Sequence, residues 1–353
     1  MKKIIFLLSL FLFISKVSAS SMIAYDMDTK QILYSDNIHE KRPVASISKI
    51  MTALIACESG YLDDVVTIGD EINKSYGSGI YIQVGEKISL RDLVYGLMLR
   101  SGNDAAFAIA KYVGGSVENF VNMMNEKAKY LGMNDTIYNN PNGLDDLGGN
   151  ISSTYDMALL TAYAMKNDDY KTITGTKKHI VKTNMNYYLW NNKNKLLFNY
   201  KYTTGGKTGY TKIAKRTLVT TATNNNMNIV IVTLNNGNDF NEHKNLYEEL
   251  FKKYKGYDIL KKGDISISNF KDKKAYYIEN GFKYDFMENE KDNMIIKFEF
   301  DNKKINGIGD AIVYLGDKEL YRTRIYEKEN KKVTILQKIR NLFSSNCIVG
   351  IYD

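Results

Sequence analysis

Strand-like runs stand at the two ends of one long stretch of this chain, and helical patterns fill the space between. Met22 to Asp26 and Gln31 to Tyr34 are short apolar-rich runs around Asp28-Thr29-Lys30, the pattern of an antiparallel hairpin. Leu218 to Ala222 and Ile229 to Leu234 repeat that texture far downstream, with Asn224-Asn225-Asn226 as the turn between them. Leu196 to Tyr200 reads as a further strand. Apolar residues at helical spacing predict helices over Ile47–Cys57, Leu90–Leu99, Ala105–Val113, Val117–Leu131 and Thr154–Met165, and a closing helix over Asn241–Tyr254. Asn139 to Asn150, rich in Asn, Gly and Asp, is a loop. A sheet that uses both ends must bring distant parts of the chain together. The expected fold is therefore α+β, one domain over residues 20–255. Beyond Gly256 the pattern turns to alternation, with strand candidates at Ala275–Ile278, Met294–Phe300, Ala311–Leu315 and Tyr321–Tyr326. This predicts a small β-rich domain over residues 256–330.

The chain of 353 residues carries a net charge of +8, which suits attraction to anionic partners. Its lysines are scattered through turns, and no compact basic helix or RNP-like aromatic string occurs, so nucleic acid is not the expected partner. Lys2 and Lys3 precede the apolar run Ile4 to Ile14, and Val17-Ser18-Ala19 follows. That is the pattern of a secretory signal over residues 1–19, cleaved after Ala19. The mature protein is then expected outside the cytoplasm, in the cell wall or on the outer face of the membrane. Cys57 and Cys347 are too few and too far apart for a disulfide framework. His39, His179 and His243 sit in polar sequence without metal-ligand spacing, so no metal site and no cofactor is expected. In the tail, residues 331–353, Val333, Leu336, Ile339 and Phe343 fall at roughly helical spacing. That amphipathic helix either lies on an anionic membrane or packs on the second domain.

Three short strings carry the chemistry. Ser46-Ile47-Ser48-Lys49 opens the first helix. A serine there is often only an N-cap. Residues three apart share a helix face, however, so Lys49 would present its amine beside the Ser46 hydroxyl. A lysine that is desolvated and near another cation has a lowered pKa and can take the serine proton. Ser101-Gly102-Asn103 is by itself a turn. Facing Ser46, Ser101 would relay a proton to a leaving amine and Asn103 would hold the substrate backbone. Lys207-Thr208-Gly209 follows Gly205-Gly206 and is by itself a glycine-rich turn. As the start of a sheet-edge strand it would pair with an extended peptide. Gly209 would admit a close backbone, while Lys207 and Thr208 would meet a terminal carboxylate. Backbone N–H groups of Ser46 and Tyr210 are the expected oxyanion donors.

Taken together, these strings are the S-x-x-K, S-x-N and K-T-G set. The chain resembles the low-molecular-mass penicillin-binding proteins, specifically serine-type D-alanyl-D-alanine carboxypeptidases. The likeness extends to Lys41-Arg42-Pro43-Val44-Ala45 before Ser46 and to Leu97-Met98-Leu99-Arg100 before Ser101. It is also seen in Asn140-Pro141-Asn142-Gly143-Leu144-Asp145-Asp146, in Ser153-Thr154-Tyr155-Asp156 and in Asn194-Lys195-Leu196-Leu197. It covers roughly Met22 to Tyr254. The resemblance implies a β-lactamase/transpeptidase-like domain, an antiparallel sheet flanked by helices with a helical subdomain. It implies Ser46 as nucleophile, Lys49 as base, a peptidoglycan stem peptide ending in D-Ala-D-Ala as substrate, and β-lactams as inhibitors.

The sequence departs from that family near Asn224, where many relatives carry an arginine for the terminal carboxylate. Arg216 is the candidate replacement; its other reading is a surface arginine at a strand start. Two further functions stay open. One is a β-lactamase, although no Glu stands in a matching loop after Asn103. The other is a catalytically weak peptidoglycan-binding protein that keeps the fold.

Overall fold

The structure, a computed structural model, describes residues 20–145, 148–267, 275–301 and 308–328. The expected signal segment, the tail with Cys347, and Asp146 lie outside the described residues. The chain divides into two compact units at Gly256 and Tyr257.

The first unit is built on a five-stranded antiparallel sheet. Its strand order is Ile32–Asp36, Ser21–Asp26, Met227–Leu234, Lys215–Asn224 and Thr203–Thr211. The N-terminal hairpin therefore pairs with strands about two hundred residues away, Ser21 opposite Leu234 and Asp26 opposite Ile229. The strands Ser21–Asp26 and Met227–Leu234 are buried along almost their whole length, because helices cover both faces of the sheet. On one face pack the helices of the central region. Nine of the ten residues of the Lys49–Glu58 helix are buried. A helix apolar all round belongs at the centre of a core, and its neighbours are the helices Leu90–Arg100, Asn103–Gly114, Val117–Tyr130 and Thr154–Ala164. On the other face lies the Asp239–Lys253 helix, which seats Leu246, Tyr247, Leu250 and Phe251 against Met22, Ala24, Ile229 and Ile231.

Several local expectations are corrected. Leu196–Tyr200 is not a strand: Leu196–Asn199 is a single helical turn, set by Asn194, whose Oδ1 accepts the Leu196 N–H at 3.1 Å. Residues 178–191 form a hairpin, Lys178–Lys182 with Tyr187–Asn191, for which the sequence offered no periodic signal long enough. His243 does not sit in polar surroundings. It is wholly buried beneath the sheet, with Nδ1 2.7 Å from Thr220 Oγ1 and Nε2 3.0 Å from Thr233 Oγ1.

In the second unit a five-stranded antiparallel sheet runs Gly263–Ile265, Tyr276–Ile278, Lys318–Glu327, Gly309–Leu315 and Met294–Phe300. Its own small core gathers Tyr276, Ile278, Ala311, Val313 and Ile325.

The buried His243 ring makes a pH prediction. Burial pushes its pKa down to about 3, so the folded state holds it neutral while the unfolded state takes a proton below its ordinary value near 6.5. The contribution is complete above about pH 6.5 and is lost as pH falls towards 3, at up to ~1.4 kcal/mol per pH unit. Urea unfolding of wild type and His243→Gln at pH 7 and pH 5 should show the wild-type advantage shrinking by roughly 2 kcal/mol. An advantage independent of pH would mean the ring is solvated or charged in the fold.

Candidate active site

The three strings meet at one end of the edge strand. Ser46 lies in a short 3-10 turn, Ala45–Ser48, that runs directly into the Lys49–Glu58 helix. Ala45 holds a left-handed φ of 50°, so the chain turns sharply just before the serine. Thr217 Oγ1 donates to Val44 O at 3.0 Å and ties this turn to the sheet.

Lys49 is fully buried, yet its amine reaches three oxygens. Nζ lies 3.0 Å from Ser46 Oγ and 2.7 Å from Asn103 Oδ1, and it bonds the carbonyl of Asn142. The orientation of the Asn103 amide is set by its other end, where Nδ2 donates to Tyr76 O at 2.6 Å. Two of the three partners are carbonyl oxygens, which only accept. A neutral amine has two N–H bonds and one lone pair. Spending both N–H bonds on Asn103 and Asn142 leaves the lone pair for Ser46, whose O–H then donates to it. Burial, with Lys193 nearby, brings the Lys49 pKa down to about 7, while Asp104 holds it up slightly. Near neutral pH the amine is therefore free of its extra proton in a large share of molecules. An amine so placed can take the serine proton.

Ser101 ends the Leu90–Arg100 helix in the left-handed region, at φ 63°, and Asn103 opens the next helix. Asp104 holds the facing loop. Its carboxylate accepts the backbone N–H groups of Ile80, Tyr81 and Ala105 at 2.6–3.0 Å. That loop brings Ser78 to the cleft, where Lys193 Nζ donates to its hydroxyl at 3.2 Å.

The edge strand Thr203–Thr211 supplies the third string. Lys207 points inward and is buried, with Nζ donating to Thr208 O at 2.8 Å. Burial, with Lys49 and then Lys193, holds its pKa well below the ordinary lysine value. Gly209 passes so close to the serine turn that a Cβ there would lie 3.0 Å from Ser46 N and 3.2 Å from Ile47 N. A cleft of about 300 Å³ lies along this strand. Ser46, Ser101, Thr208, Gly209 and Tyr210 line it together with Ser78, Lys193, Lys195, Arg216, Asp239 and Phe240.

The family signature for D-alanyl-D-alanine carboxypeptidases matches residues 13–238. The chain belongs to the D-alanyl-D-alanine carboxypeptidase family. It is 36% identical over 220 residues to the D-alanyl-D-alanine carboxypeptidase DacF of Bacillus subtilis, a match that takes in 61% of this chain and 56% of that one. To DacC of Escherichia coli it is 33% identical over 245 residues, 65% of this chain and 60% of the relative. The match thus spans a little over half the length of these two curated relatives. A crystal structure of penicillin-binding protein 5 from Haemophilus influenzae superposes with a TM-score of 0.75 at 27% identity, covering 87% of this chain and 95% of that one. The transpeptidase-like fold, with its strand-rich C-terminal region, is shared.

Every site residue expected from the sequence falls in or beside the cleft. The Asn103 amide joins the cluster at both ends, with Oδ1 accepting from Lys49 Nζ and Nδ2 donating to Tyr76 O. The family strings did not reveal Lys193, Ser78 or Asp239. Lys193 stands in Asn192-Lys193-Asn194-Lys195, where one lysine among many carries no signal, and its backbone N–H donates to Leu99 O beside the second string. Asp239 opens the last helix and holds Arg216 side-on, with Arg216 Nε 3.1 Å from Oδ2 and Nη2 2.6 Å from Oδ1. Among the described residues no group of three or more His, Cys, Asp or Glu is placed to hold a metal ion.

The close approach at Gly209 predicts that Gly209→Ala destabilises the fold. The new methyl would meet Thr217 Oγ1 at 2.3 Å as well as the serine turn. Urea unfolding should show a loss of about 1–3 kcal/mol. Unchanged stability would mean that the strand can move away from Ser46 at no cost.

Proposed function

We propose that the protein is a serine D-alanyl-D-alanine carboxypeptidase, acting outside the cytoplasmic membrane on peptidoglycan stem peptides that end in D-Ala-D-Ala. The observation that carries this reading is the Lys49 amine 3.0 Å from Ser46 Oγ, with its other two directions spent on carbonyl oxygens.

In this reading Ser46 Oγ attacks the carbonyl carbon between the two D-alanines as Lys49 takes its proton. The N–H groups of Ser46 and Tyr210 meet the developing oxyanion, where fixed donors act most strongly. The C–N bond then breaks. The departing D-alanine amine receives a proton by way of Ser101, with Lys207 and Lys49 sharing the positive charge. Water hydrolyses the Ser46 ester in the second half-reaction. The substrate lies along the outer edge of Thr203–Thr211 as an added strand. Its terminal carboxylate meets Thr208 and Arg216. Asp239 uses the Nε and Nη2 side of the guanidinium, which leaves Nη1 for the substrate. A β-lactam enters the same path and acylates Ser46.

The extracytoplasmic assignment is supported by the signal pattern of residues 1–19 and by the cell wall as the place of the substrate. Among the described residues no helix is long and apolar enough to cross a membrane. The amphipathic tail is the candidate for contact with a membrane surface.

Two results test the reading. Release of D-alanine from an acyl-D-Ala-D-Ala peptide should rise in kcat/KM as pH climbs through about 7, where Lys49 loses its proton, and level off above. A profile flat between pH 5.5 and 8.5 would remove Lys49 as the base. Asp239→Asn should raise KM for that peptide several-fold and change kcat little, since it loosens only the group that meets the carboxylate. Arg216→Ala should do the same more strongly. An unaltered KM in both variants would take Arg216 out of substrate binding.

A further inference from the structure

The cleft does not end at Arg216. Ser46, Ser78 and Ser101 mark one end of it, and Lys195, Arg216, Asp239 and Phe240 form the other. A second cavity, of about 360 Å³, shares those last four residues and continues to Asn199, Asn241 and Lys244 without touching any of the three serines. It therefore runs away from the reacting atoms, past the group that meets the substrate carboxylate.

The charge of this extension is one-sided. Lys195, Arg216 and Lys244 line it against a single acid, Asp239. The oxygens of Asp239 are already taken by Arg216 and by the Phe240 N–H at 2.7 Å. Lys244 has only a loose partner, Glu248 at 3.8 Å, and both side chains are about half exposed. The Lys195 amine and the Arg216 guanidinium both lie over the Phe240 ring, at 6.0 and 5.6 Å, so the ring forms the floor that joins the two cavities. A D-alanine methyl leaves such a space empty.

We infer that the extension is a subsite for the side chain of the leaving amino acid, and that it takes a side chain bearing a second carboxylate. This rests on the carboxylate-binding reading of Arg216 and deepens it. The reaction itself is unaltered. The amide C–N bond breaks, the dicarboxylic D-amino acid departs with a proton on its amine, Ser46 forms its ester, and water releases the acyl group.

The test compares two acyl-D-Ala peptides on the full chain, one ending in D-Ala and one in D-Glu, with wild type, Lys244→Ala and Lys244→Arg. Lys244 lies outside the cleft that holds Ser46. The D-Glu peptide should be cleaved by wild type. Lys244→Ala should lower kcat/KM for it about three- to tenfold, with the D-Ala peptide held within about twofold and Lys244→Arg close to wild type. If Lys244→Ala leaves the D-Glu peptide unaffected, or slows both peptides equally, the subsite is wrong. If wild type cleaves the D-Ala peptide but not the D-Glu peptide, the subsite is wrong and the carboxypeptidase reading stands. If wild type cleaves neither, that reading fails and takes the subsite with it.

Discussion

The site depends on one buried amine. A lysine taken out of water loses much of its hold on the third proton, and Lys49 is placed where only oxygens surround that nitrogen. Each oxygen comes from a different part of the chain: the serine turn, the start of the Asn103–Gly114 helix, and the Asn140–Leu144 loop. The arrangement is thus a product of the whole helical core. The loop must also come in close. Gly143, at φ +79°, has room for no side chain, because a Cβ there would lie 2.0 Å from the Ala45 carbonyl.

The sheet provides the second half of the design. The sheet has two edges: the short, exposed Ile32–Asp36 strand ends one side, and Thr203–Thr211 ends the other with no strand beyond it. The free edge therefore lies where the serine turn, Gly209 and Arg216 meet. The proposed peptide would pair along it beyond Gly205 and Gly206, whose backbone groups Asn194 and Thr174 already bond. The inner side of the same strand buries Lys207, a second lysine whose pKa is held down by burial and then by Lys49 and Lys193. Burial first, and Lys193 after it, keep Lys49 from full protonation, so the desolvation that costs stability also supplies a base near neutral pH.

Much of this was legible in the residues. The helices from Ile47 to Met165 follow apolar spacing, and the long-range sheet follows from strands at the two ends. Ser46 and Lys49 face each other because three residues make almost one helical turn. What stayed hidden depends on tertiary contact. Leu196–Asn199 has strand-like composition, but the Asn194 side chain bonds the backbone locally and turns the chain. His243 reads as polar until the sheet closes over it and two threonines take both ring nitrogens. Lys193, Ser78 and Asp239 gain meaning only from their neighbours in space. Asn103, read as a substrate ligand, also bonds the lysine amine through Oδ1, a contact visible only in the fold.

In the proposed chemistry Ser46 is a nucleophile made reactive by this setting. Intact mass followed over time after addition of benzylpenicillin, with Ser46→Ala in parallel, tests it most directly. The wild type should carry a persistent adduct of one drug molecule and the variant none. No adduct on the wild type, or an equal adduct on Ser46→Ala, would contradict it.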